Sequence, residues 1–132
     1  MTKKYKLTEK YIIHYGVKLF QIQALVSFGT VYSGYLGGYI EKEENLSQDG
    51  DAWVSDNAWV SGNAKVCGNA IVSGNALVSG NAIISGNALV SGNAWVCDDA
   101  WVSGNAKVHG NALVHRDAKV CGDAGADCYA VL

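Results

Sequence analysis

From Ala52 to Asp123 the chain repeats a six-residue pattern close to Ala-x-Val-Ser-Gly-Asn twelve times. Within each unit the small Ala and the branched Val lie two apart, so in an extended segment both face one side and x faces the other. Gly-Asn then interrupts the alternation, and both residues tolerate the positive φ of a tight corner. The pattern therefore predicts a short strand, a bend and another short strand, repeated at fixed intervals. Three such hexads close one triangular coil, with Ala at the crowded corner. Val54 and every sixth residue through Ile84 to Val120 fill the core.

The first fifty residues follow a different rule. Two apolar and aromatic stretches, YIIHY and VKLFQIQALVSF, flank Gly16 and predict a β-hairpin over residues 5 to 28. Gly29 to Ile40 is rich in Gly and Tyr and reads as an irregular extended segment. Ile40 and Leu46 fall at six-residue steps before Ala52, so EKEENLSQDGD leads into the first coil. An open coil end exposes apolar core and unpaired strand edges, which need a cover. The expected division is a capping module over residues 1–45 and a β-helix over 46–132. His14, beside the turn, reads as a partly exposed neighbour of tyrosine.

The six-residue pattern resembles the hexapeptide-repeat, left-handed parallel β-helix family, in which an aliphatic and a small residue recur at this spacing. The fold class implied is all-β, a left-handed parallel β-helix with three strands, one per hexad, in each coil. Left-handedness comes from the resemblance alone, since the general crossover rule favours a right-handed path. The chain, including LGGYIEKEENLSQDGDAWV, also resembles uncharacterised hexapeptide-repeat proteins of phages and prophages.

Positions three hexads apart stack on one another, which sorts the outward x positions into three columns. The first is Trp53, Ile71, Leu89, Lys107, Gly125; the second Trp59, Leu77, Trp95, Leu113, Val131; the third Lys65, Ile83, Trp101, Lys119. The second column is apolar throughout, and a contiguous patch of that kind marks an interface. Trp59, Leu77, Trp95, Leu113 and Val131 are therefore the expected contact between copies of the chain, unless the hairpin folds back over part of them. The family resemblance implies a trimer, because such helices pack flat faces about a three-fold axis. The chain closes on CYAVL, so either Tyr129 folds across the last coil or a second molecule covers it.

Composition narrows the remaining classes. A net charge of −2 and the lack of a basic patch argue against nucleic acid. No apolar run suits a membrane span, and MTKKYKLTEK is not followed by the apolar stretch of a signal peptide. Cys67 and Cys121 share a column but stand three coils apart, roughly 14 Å, too far for a disulfide. Free thiols in a reducing cytoplasm are the expectation for Cys67, Cys97, Cys121 and Cys128.

Chemistry is sought where the repeat breaks its pattern. Cys97-Asp98-Asp99 replaces Ser-Gly-Asn, and His115-Arg116-Asp117 does so one coil later. Three readings compete: a surface ion pair between Asp98 and Arg116, a metal site from Cys97, His115, Asp99 and Asp117, or acyl transfer with His115 or His109 as general base. Many resembling β-helices are acyltransferases that use a histidine in a cleft between subunits and an extruded loop. Here no insertion interrupts the hexads from Ala52 to Asp123. The three-histidine metal set of the γ-class carbonic anhydrases has no matching arrangement. The outward Trp, Lys, Ile and Leu do not form the hydroxyl ladder of an ice-binding face. The expected function is non-catalytic, structural or protein-binding, with no cofactor and no metal. The alternatives are an acyltransferase-like enzyme and an oligomer that sequesters a small ligand between subunits.

Overall fold

A computed structural model describes residues 3–14, 16–121, 125–126 and 130–131. Among these residues the regular structure is all β apart from a 3-10 turn at Glu43–Asn45. Three strands precede the repeat: β1 (Tyr5–His14), β2 (Val17–Ala24) and β3 (Leu36–Ile40). Short two-residue strands follow, from β4 (Trp53–Val54) to β17 (Ala130–Val131). They stack as a parallel β-solenoid with 18 residues per turn. Trp95 pairs with Leu77 on one side and with Leu113 on the other, one turn away in each direction. The Trp95 N–H donates to Ala112 O at 2.9 Å and Cys97 N–H to Val114 O at 2.9 Å, so one coil hydrogen-bonds the next. The Ala and Val of each hexad from Ala52 to Val120 are buried, with Ile84 in place of Val, and line one continuous core.

The corners divide labour differently from the expectation. The glycines of the hexads from Gly62 to Gly110 take φ between 63° and 67°, a conformation that only glycine adopts without a Cβ penalty. The asparagines do not share it. Among the described residues, the non-glycine positions with positive φ are Asp56, Asp98 and Arg116, which occupy the glycine position of their own hexads. Asparagine serves instead through its side chain, in ladders that run along the rod. Asn57 Nδ2 donates to Asn75 Oδ1 at 3.4 Å, Asn75 to Asn93 at 3.2 Å, and Asn93 to Asn111 at 3.3 Å. Such amide ladders form because identical residues stack at each strand spacing.

The N-terminal strands extend one of the solenoid's sheets instead of forming a separate layer. That sheet runs β1, β2, β3, β5 (Trp59–Val60), β8 (Leu77–Val78), β11 (Trp95–Val96), β14 (Leu113–Val114), β17. The segment read as irregular therefore contains a regular strand: β3 pairs antiparallel with β2 and parallel with β5. Ile40 aligns with Val60 and Leu46 with Val66, where the regular spacing would bring Lys42 and Gln48 to those partners. The first coil is thus slightly longer than the later ones, and the six-step from Leu46 to Ala52 is coincidental. Gly37 and Gly38 allow β3 to lie against the end of the core. A Cβ at Gly38 would sit 2.7 Å from Ala58 O and 2.8 Å from Val54 Cγ1.

Candidate functional site

The second outer column forms the candidate site, and the capping strands modify it. In each strand Val points into the core, so the residues on either side of it face out. Trp59, Leu77, Trp95 and Leu113 pair in register and form one column. Ser61, Ser79, Cys97 and His115 follow the inward Val and form a parallel column beside it. The hairpin tip packs onto the start of this surface. His14 lies edge-on to Trp59, with ring centroids 4.0 Å apart, so an indole is among its neighbours. Trp59 and Leu77 are consequently half-buried, while Trp95 stays 52% exposed.

Between the hairpin and this surface lies a slot of about 260 Å³. Val17 and Leu19 of β2 form its roof together with His14. Its far wall is Trp95, and Ser61, Ser79 and Cys97 line one edge. Burial and, secondly, the neighbouring Asp98 carboxylate push the Cys97 thiol up, which keeps it protonated at neutral pH. Of the slot residues contributed by the hairpin, the sequence singles out His14, though not as part of a site, and gives no signal for Val17 or Leu19. The one available signal was the alternation of large and small side chains along Trp59, Leu77, Trp95 and Leu113.

Of the remaining two tryptophans, Trp53 leaves its outward column and Trp101 keeps its place in one. Trp53, expected outward, is buried to 2% exposure. Its ring meets Tyr5 at 6.3 Å and Phe28 at 5.4 Å, both edge-on, because the N-terminal segment crosses the first column. Trp101 is 48% exposed, with the Lys119 ammonium 5.5 Å from its ring centroid. At the other end of the second column, Leu113 pairs with Ala130 and Val114 with Val131, one position short of the regular spacing. The register therefore places Ala130, not Val131, opposite Leu113. Lys107 still pairs with Gly125 at the regular spacing. Tyr129 and Cys128 lie outside the described residues.

At the off-consensus corners, Asp98 and Arg116 stack one coil apart, but not through a side-chain ion pair. The Asp98 carboxylate accepts the backbone N–H of Arg116 at 3.0 Å, as Asp56 accepts that of Gly74 at 3.2 Å. Asp99 is drawn into an amide ladder, its Oδ1 accepting from Asn81 Nδ2 at 3.1 Å. Asp117 occupies the equivalent position one coil later, and His109 follows Val108 on the neighbouring face, one corner before His115. Among the described residues no three His, Cys, Asp or Glu side chains gather as a metal site. Cys97, Asp99, His115 and Asp117 are therefore neighbours in the register without converging. Cys67, Cys97 and Cys121 are free thiols.

Comparison with known proteins bears on the rod. Residues 64–80, 72–84 and 82–98 match the YdcK beta solenoid repeat. This is a repeat β-helix protein. The matched segments span the regular coils that carry Leu77 and Trp95 but not the hairpin that roofs the slot. No curated protein matches the chain. Among the described residues, no helix is long and apolar enough to cross a membrane.

Proposed function

We propose that this protein is a non-catalytic β-helix with a structural or protein-binding role, and that it associates with copies of itself as a trimer. The observation that carries this reading is the unequal treatment of its four tryptophans. In the first coil, Trp53 is buried under Tyr5 and Phe28 and Trp59 lies under His14. Two coils on, Trp95 and Trp101 remain about half exposed, at 52% and 48%, on adjacent faces of one coil. Leu89, on the third face of that coil, is also exposed. Covering such indoles is favourable by about 25 cal/mol per Å² of apolar surface, and tryptophan is a preferred interface anchor.

The contact is therefore centred on Trp95 and Leu113, away from Trp59, which the hairpin already occupies. Three-fold closure and left-handed coiling rest on the hexapeptide-repeat resemblance, and origin in a phage rests on the separate resemblance to phage and prophage proteins. The free thiols at Cys67, Cys97 and Cys121 support a reducing, cytoplasmic setting. Replacing Trp95 and Leu113 together with Lys should convert the assembly to single chains in sedimentation velocity. A double variant that keeps the mass of the native assembly would sink the proposed interface.

A further inference from the structure

We infer that the slot between the hairpin tip and the second outer face binds a small, uncharged, planar aromatic molecule. Its shape follows from side-chain size. Strands in the column are about 4.8 Å apart, so the indoles of Trp59 and Trp95 project roughly 10 Å apart with the shorter Leu77 between them. A short side chain between two long ones leaves a notch. His14, Val17 and Leu19 close it from above. The volume of about 260 Å³ lies just below the roughly 300–1,000 Å³ range of drug-sized sites, which suits a molecule of about two rings.

The lining sets the chemical class. Among the described residues that line the slot there is no Lys, Arg, Asp or Glu. A charged ligand would lose its hydration there with only the His14 imidazole and the Cys97 thiol as ionisable neighbours, so a neutral molecule is favoured. The indole walls favour a flat ring, through stacked or edge-on contacts. The hydroxyls of Ser61 and Ser79 each donate and accept hydrogen bonds and line the same edge, so one polar edge on the ligand finds partners. The slot is built within one chain. It goes beyond the self-association proposed above and does not depend on it.

The test is a titration of the full-length, isotope-labelled chain with indole, followed by backbone and indole N–H resonances. The expected result is a saturable set of shifts at Ser61, Ser79 and Trp95, with a Kd of about 0.1–1 mM. Indole-3-acetate, which adds a negative charge, should bind at least tenfold more weakly. Leu77→Trp, which fills the notch, should abolish the shifts, and Ser79→Ala should weaken binding several-fold. The wild-type titration decides the matter even where a variant does not fold. Shifts that do not saturate, or that centre on Tyr32 and Tyr35, would overturn the proposal. Shifts that appear only after dilution to single chains would also overturn it, because a second copy would then be the occupant.

Discussion

The imidazole of His14 stands edge-on over the indole of Trp59, with centroids 4.0 Å apart and planes at 61°. This contact ties the hairpin tip to the second outer face and withdraws Trp59 from the surface. Aromatic pairs of this geometry contribute about 0.5–1.5 kcal/mol beyond the area they bury. His14→Ala should therefore lower the free energy of unfolding in urea by about 1 kcal/mol. The assembly mass should stay the same, since the proposed interface lies at Trp95 and Leu113.

Arg116 adopts a φ of 58° in a position that other coils give to glycine. A β-carbon in that conformation costs roughly 1–2 kcal/mol. Arg116→Gly should stabilise the rod by about 1 kcal/mol in urea denaturation. Asp98→Gly should be near neutral. Aspartate tolerates the left-handed region better, and its carboxylate also accepts the Arg116 N–H, a bond the variant loses.

Asn93 accepts from Asn75 and donates to Asn111. Solvent-exposed amide bonds of this kind have small net value, so Asn93→Ala should cost about 1 kcal/mol. Asn57→Ala removes only the donor end of the same ladder, the bond to Asn75. It should cost about half as much in the same denaturation experiment.

The N-terminal module should report its own pH dependence. Lys4 Nζ donates to Ala52 O at 2.7 Å and to Gly50 O at 3.3 Å, and the residue is buried. Burial lowers its pKa to about 8 from 10.5, against the opposing pull of Asp51 and Asp49. Between these values the unfolded chain holds a proton that the folded chain has released, so this group makes stability rise with pH from about 8 to 10.5. Tyr5 acts in the opposite sense. Burial, aided by Glu43 and Glu44, pushes its phenol up from 10.0, so the unfolded chain releases that proton first and stability falls above about pH 10. Melting temperatures across this range should show a flattened rise in Lys4→Met and a weakened high-pH fall in Tyr5→Phe, each relative to wild type.

The repeat was legible because every position in it answers to a local rule. Ala and Val pack, x faces out and Gly turns, and the hexads follow suit. Asparagine misled because its preference for turns is real in general, but here Gly supplies the positive φ and Asn contributes through a partner one coil away. Trp53 misled for a related reason: its column faces outward, yet Tyr5 and Phe28 arrive from outside the repeat to cover it. The extra length of the first coil was hidden because the genuine six-step from Ile40 to Leu46 is followed by a coincidental one from Leu46 to Ala52. At the other end, the short step that aligns Val131 with Val114 falls in an irregular stretch with no pattern to count against. Of the slot, the notch was readable from the size alternation Trp59, Leu77, Trp95. Its roof was legible only as the alternative that the hairpin folds back over part of this column, because nothing local in β2 says which of its residues would line the slot.

Self-association is best decided by sedimentation equilibrium of the wild-type chain at micromolar concentration. Burial of the Trp95 edge between copies, together with the three-fold closure that the hexapeptide-repeat resemblance implies, predicts a single species with three times the mass of one chain. A species of one-chain mass across that concentration range, with Trp95 still open to solvent, would rule the trimer out.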